Sequence, residues 1–314
     1  MLRTFTVAIA VAFCLAGAAG AQSTSNDTFK PGPENDPNNC SDLWRGIGLP
    51  QYSREEDRDT IIVCHYKYVL SHNNKDKTPD WVIEHLTTAQ ISGTNARPKM
   101  KFKPEPFVPS DKRAVDDDYR NSKFDRGHQA PSDDFKAKRE WMVESFFLSN
   151  IVPQVGIGFN RGIWKNFEDH VRDIVRDRGE LYAITGPIES EEAGSGTVTI
   201  TDTTNICRNK IVLKPLKKES ICGAKAKCGD GVTVPIALFK IIYDPRLHRA
   251  NAFILPNINH RDTGKGFADA IEYLKKFQVN VEVVEKYTGL EFFRDLPLRS
   301  RRPILQQCTA FMEH

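Results

Sequence analysis

The order of strand-like and helix-like segments limits this chain more than any other feature. Thr60-Ile61-Ile62-Val63-Cys64 and Tyr66-Lys67-Tyr68-Val69-Leu70 are rich in β-branched and aromatic residues. Asn73-Asn74-Lys75-Asp76 is turn-forming, and Trp81-Val82-Ile83-Glu84-His85-Leu86 alternates as a returning strand. Further strands are predicted over 181–185, 232–243 and 251–255, and helices over 139–146 and 266–277. Strands interspersed with helices, without a βαβ rhythm, predict an α+β fold: a central, largely antiparallel sheet flanked by helices.

One further helix carries a pattern of its own. From about Arg161, the residues Ile163, Trp164, Phe167, Val171, Ile174 and Val175 recur at intervals of three and four, marking a buried stripe. Asn160, Trp164, Glu168 and Arg172 follow at steps of four, each turning about 40° around a helix. An amide, a carboxylate and a guanidinium could thus line one wall of a cleft. By spacing alone, Glu168 and Arg172 fit better as an i,i+4 pair on a solvated face.

The N-terminus points to export. Arg3 precedes an apolar run over residues 7–19, and Ala19-Gly20-Ala21 offers a small-x-small cleavage pattern, so residues 1–21 read as a signal peptide and Gln22 as the mature start. The expected location is therefore secreted or periplasmic. Cys14 leaves with that segment, and Cys40, Cys64, Cys207, Cys222, Cys228 and Cys308 remain. An even set in an exported chain predicts three disulfides, at least one of them local to 207–228. A zinc site is the rival reading, but there is no Cys-x-x-Cys pair. Residues 22–57, rich in Asn, Asp, Pro and Ser, read as a mobile leader tied down by Cys40. Asn26 and Asn39 open glycosylation patterns. The formal charge is +3, and +2 without Arg3, so any polyanion site must be a local patch rather than bulk charge.

The segment most suggestive of chemistry is Asp125-Arg126-Gly127-His128, where an acid, a base and an imidazole fall within one glycine-hinged turn of sequence. With the flanking Asp118-Tyr119-Arg120-Asn121-Ser122-Lys123-Phe124 it resembles the DNA/RNA non-specific endonucleases, relatives of endonuclease G in the ββα-metal superfamily. Phe147-Leu148-Ser149-Asn150-Ile151-Val152-Pro153-Gln154 and Phe159-Asn160-Arg161-Gly162-Ile163-Trp164 with Glu168 extend the likeness. Weaker echoes run from Trp81 through Thr185-Gly186-Pro187 and Phe239-Lys240 to Phe292-Phe293. The resemblance spans residues 58–295 as one domain. It leaves out the leader, a Cys-containing insertion at 189–231 and a tail at 296–314.

What the resemblance implies is specific. A ββα-metal motif would hold His128 on a strand and Asn160 at the start of a helix. His128 would be the general base that takes a proton from water, a task suited to an imidazole. Asn160 would be the sole direct protein ligand of Mg2+, with Mn2+ as a substitute, because Mg2+ favours hard oxygen and keeps its waters. Glu168 would hold those waters. Arg126 and Arg172 would clamp phosphate oxygens, Asn150 would orient its neighbours, and Arg97 would contact phosphate, with Lys99, Lys101 and Lys103 as a further basic patch. Asp125 reads as a buttress rather than a reacting group. The expected activity is hydrolysis of DNA and RNA to 5′-phosphate products without sequence preference, since contacts to phosphate and sugar carry no sequence information directly. Many relatives form dimers, so the resemblance allows a homodimer, although nothing in the sequence locates an interface. The rival readings are a catalytically silent nucleic-acid-binding protein of the same fold and a phosphodiesterase for small nucleotides.

Overall fold

The computed structural model describes residues 36–53, 58–97, 99–189, 197–201, 207, 209–214, 220–222, 231–260, 267–306 and 308. The signal-peptide segment, Asn26 and Cys228 lie outside the described residues. In chain order the main strands are β1 (Thr60–Cys64), β2 (Val69–Asn73), β3 (Thr78–Thr87), β4 (Phe124–His128), β5 (Ile151–Val155), β6 (Glu180–Ile188), β7 (Ala237–Asp244), β8 (Arg249–Pro256) and β9 (Gln278–Val279). β4 and β5 pair with each other as a separate hairpin. The other seven form one sheet in the order β9-β8-β7-β6-β3-β2-β1, and every neighbouring pair is antiparallel.

Both faces of this sheet are covered, which is why its strands read as nearly continuous apolar runs. Trp81, Ile83, Ile184, Phe239, Ile241 and Ile254 point to one side. There they meet α4 (Val281–Thr288) and α5 (Leu298–Leu305) through Val281, Val284 and Ile304. Leu86, Ala183, Leu238, Ile242 and Phe253 point to the other side, against α2 (Lys165–Arg178) and α3 (Phe267–Leu274). A short α1 (Arg139–Glu144) borders a third cluster around Phe135 and Phe146. Removing these side chains from water, at about 25 cal/mol per Å² of apolar surface, is the main force holding the layers together.

The antiparallel α+β architecture predicted from the sequence is the one found. Four boundaries differ, the first two for a local reason. The regular helix starts at Lys165 rather than near Arg161, because Gly158 (φ 83°) and Gly162 (φ −135°, ψ −112°) hold non-helical conformations in the preceding residues. Asn160 therefore sits on an irregular segment, and the steps-of-four arc applies only from Trp164 onward. The run 232–243 splits into Val232–Thr233 and Ala237–Asp244 around Pro235, which has no N–H for a ladder. Part of the expected leader also belongs to the fold. Leu43 and Ile47 are buried in the first core, and Gln51–Tyr52 pair with Leu290–Glu291. The tail does too, through buried Ile304 on α5.

Two disulfides are described. Cys40–Cys64 fixes the entering segment to the end of β1. Cys207–Cys308 spans 101 residues and joins the insertion to the C-terminal tail. Cys222 is disulfide-bonded as well.

Candidate active site

The site is built on the β4–β5 hairpin. Its register sets Asp125 opposite Gln154, Gly127 opposite Val152 and His128 opposite Ile151. Gly127 is dictated by close approach: a Cβ there would lie 2.0 Å from Cδ of Gln154. Strand alternation turns Asp125 away from Arg126 and His128, and the contacts of each follow from that.

Asp125 reaches the irregular segment before α2. It accepts a hydrogen bond from Nδ2 of Asn160 at 2.9 Å and an ion pair from Nε of Arg161 at 2.8 Å. A carboxylate can only accept, so the amide nitrogen must face it and Oδ1 of Asn160 must face away. The neutral hard oxygen of Asn160 is thus the group left to meet a cation. Among the described residues no set of three or more His, Cys, Asp or Glu side chains is placed to hold a metal ion. A metal here would keep most of its shell as water, which suits Mg2+. Asn160 fits that donor role.

His128 stands three positions along the same strand, about 10 Å from Asp125 at ordinary strand rise. Its ring packs at 5.4 Å from both Phe102 and Phe146, edge-on to the latter. Nε2 is buried and has no hydrogen-bond partner among the described residues. Burial, reinforced by the Arg97 guanidinium, pushes the imidazole pKa down to about 3, so the ring is neutral and its lone pair available. Arg97 itself is exposed, with its guanidinium 5.1 Å from the centroid of Phe146, the same ring that His128 touches. The structure therefore brings Arg97 beside His128.

Asn150 works from behind. Its Oδ1 accepts from the amide of Ala130, and its Nδ2 donates to the carbonyls of Ala130 and Ser145. Its own carbonyl takes the amide of Gln129. The two residues after His128 are pinned by this one side chain and its backbone. Arg126 is held by Asp116, through an ion pair at 2.7 Å and the backbone carbonyl at 2.9 Å, and lies near the rings of Tyr119 and Phe102. Both partners are partly exposed.

Glu168 and Arg172 lie on α2 beneath this region. Arg172 is almost fully buried and donates to Asp134 at 2.6 Å and to Asp169. The guanidinium expected to clamp phosphate is thus already paired with two carboxylates in this structure. Burial raises Glu168 to about 8, against the pull of Arg172 and Lys240. Asp116, Asp134 and Lys240 were not singled out as site residues. The Phe239-Lys240 echo was the one signal for any of them, because ion-pair partners from distant elements leave no spacing pattern.

A model of the DNA/RNA non-specific endonuclease family matches residues 48–299. Nuclease C1 of Cunninghamella echinulata var. echinulata is 35% identical over 235 residues, covering 73% of this chain and 81% of the fungal one. The mitochondrial nuclease EXOG of Xenopus laevis is 33% identical over 237 residues, and the match spans 73% of this chain and 57% of that protein. A crystal structure of the EndoG/EndoGI complex superimposes with a TM-score of 0.60 at 30% identity, covering 76% of this chain and 88% of that one. The large antiparallel sheet and the hairpin followed by a helix are those of a ββα-metal nuclease. The chain belongs to the DNA/RNA non-specific endonuclease family, and is a phosphodiester hydrolase of that metal-dependent class.

Proposed function

We propose that the protein is an exported, Mg2+-dependent endonuclease that cuts DNA and RNA irrespective of sequence and leaves 5′-phosphate ends. The observation that carries this reading is the Asp125–Asn160 hydrogen bond, which ties the strand bearing His128 to the segment bearing Asn160 and turns that side chain's oxygen away from the carboxylate. Asn160 would hold the metal and Glu168 its waters. When bound, the ion supplies positive charge where the pentacovalent phosphorus accumulates negative charge.

The rest is done by the chain's own groups. Nε2 of His128 takes the proton of the attacking water as its oxygen bonds to phosphorus, and the bond to the sugar 3′ oxygen breaks. An anionic phosphodiester beside the ring raises its proton affinity from the low value that burial imposes. Arg126 and Arg97 steady the phosphate oxygens. The Arg126–Asp116 pair is exposed enough to exchange, and Arg97 is free in solvent-facing position beside Phe146. Arg172 braces Glu168. Export is supported by the disulfides, which belong to an oxidising compartment. No described helix is long and apolar enough to cross a membrane.

Digestion of plasmid DNA and of RNA with Mg2+, with EDTA and with His128→Ala tests the reading. Both substrates should be cut with Mg2+, neither with EDTA, and activity should fall as salt rises, because phosphate contacts compete with counterions. Intact substrate under Mg2+ would refute it.

A further inference from the structure

The helix-facing side of the sheet contains a charge that the fold does not require. Lys240 on β7 is 2% exposed, between Leu238 and Ile242 on the apolar face beneath α2. Its register partner is Thr185, whose Oγ1 accepts from Nζ at 2.6 Å. Glu84 on β3, 1% exposed, lies on the same face, and its Oε1 has no hydrogen-bond partner among the described residues. Buried ion pairs can often be replaced by apolar residues without loss of stability, so core packing alone does not account for a lysine here.

The position of the ammonium is informative. It sits 5.2 Å from the ring centroid of Trp164, the residue midway between Asn160 and Glu168 in sequence. Lys240 acts electrostatically on Glu84, Glu168 and Asp134. The other buried cation of the region, Arg172, is bound to Asp134 and Asp169. Both cations act on Glu168, but the Lys240 ammonium is hydrogen-bonded to the neutral Thr185 hydroxyl rather than to a carboxylate.

We propose that Lys240 is a positioning residue for the metal site: its ammonium, aimed by Thr185 beneath Trp164, is the fixed positive charge that holds the Glu168 carboxylate in place to order the metal's waters. This rests on the Mg2+-nuclease reading. Lys240 touches neither metal nor substrate and acts through Glu168, as outer partners of metal sites do.

The test is calorimetric titration of Mg2+ and Mn2+ into the full mature chain, beside thermal melting. Lys240→Met should bind both ions about 10–100-fold more weakly. Because that change strands the Glu84 carboxylate in the core, the double variant Lys240→Met with Glu84→Gln removes both buried charges, and should show the same loss with a melting temperature near wild type. Thr185→Val keeps the ammonium but unaims it, and should weaken binding in the same direction by less. A folded double variant that binds metal like wild type overturns the role of Lys240. Failure of the wild-type protein to bind metal or cut nucleic acid overturns the nuclease reading instead.

Discussion

The side-chain nitrogen of Asn160 donates to the Asp125 carboxylate across 35 positions of sequence, and this one bond decides which end of the amide can meet a cation. Asp125→Ala should therefore behave as a metal-site variant although Asp125 is not itself a ligand. The expected result is a 10–100-fold rise in the Mg2+ concentration for half-maximal cleavage, with Asn160→Ala at least as severe. An unchanged Mg2+ requirement in Asp125→Ala would show that the amide is oriented by something else.

His128 gives a prediction with two separable parts. Removing the base should cost about 10²–10⁴ in cleavage rate. The pKa, depressed from 6.5 to about 3, also fixes a sign for stability. A histidine kept neutral by burial stabilises the fold fully above 6.5, and that stabilisation is lost as pH falls from 6.5 toward 3. Melting curves of wild type and His128→Phe should diverge in acid, with wild type losing more. Parallel pH dependence of the two would mean that the ring is solvated.

How much of this was legible in the sequence depended on the range of each interaction. β-branched runs and turns mark strands locally, so the antiparallel sheet and its covering helices could be read from periodicity. The motif around Asp125-Arg126-Gly127-His128 drew attention to His128, and similarity of the following segment drew attention to Asn160. Two things were hidden. Gly162 falls inside the helix expected from about Arg161, and only its backbone angles show that the regular helix begins after it. Leu43 and Ile47 lie in a polar, Pro-rich stretch, and their burial depends on a core formed by strands far along the chain. The burial of Arg172 was hidden for the same reason as that of Leu43 and Ile47: its partner Asp134 lies 38 positions away.

A second histidine sets the opposite pH trend. His65 is fully buried between Glu105, at 3.1 Å, and Glu144, at 3.7 Å, and Ser149 donates to the same Glu105 oxygen. Burial opposes its charge, but the two carboxylates prevail and lift the pKa to about 9. A raised histidine stabilises fully below 6.5, and that contribution fades as pH rises through 9. His65→Gln should cost roughly 3 kcal/mol or more at pH 6, as loss of one partner in a buried pair does, and the gap to wild type should shrink by pH 9. Denaturant unfolding at both pH values measures it, and a gap that stays constant would show His65 to be neutral throughout.

The cysteines make a prediction about compartment as well as stability. Intact mass spectrometry of the mature chain should find no free thiol, and two or more would contradict the three-bridge scheme. Replacing Cys207 and Cys308 together by serine should destabilise by about 2–4 kcal/mol, since this bridge closes 101 residues. The hairpin and α2 lie outside that bridge's immediate contacts, so cleavage at low temperature should be retained while the melting temperature drops.

Glu168 links acidity to the metal. Burial lifts its carboxyl to about 8 against Arg172 and Lys240, yet only the ionised form accepts at both oxygens and makes the stronger, charge-assisted hydrogen bonds to metal-bound water. At low Mg2+, kcat/KM should therefore rise with pH through about 8, because this ratio reports the free enzyme's essential groups. A bound cation favours the carboxylate, so raising Mg2+ should move that limb to lower pH, by the same linkage that makes metal affinity fall on protonation. Glu168→Gln cannot ionise and should flatten the limb while lowering the rate at every pH. The measurement is a set of pH profiles at two Mg2+ concentrations for both proteins. A limb that stays fixed as Mg2+ changes, or that survives in Glu168→Gln, assigns the ionisation to another group and removes Glu168 from the water-ordering role.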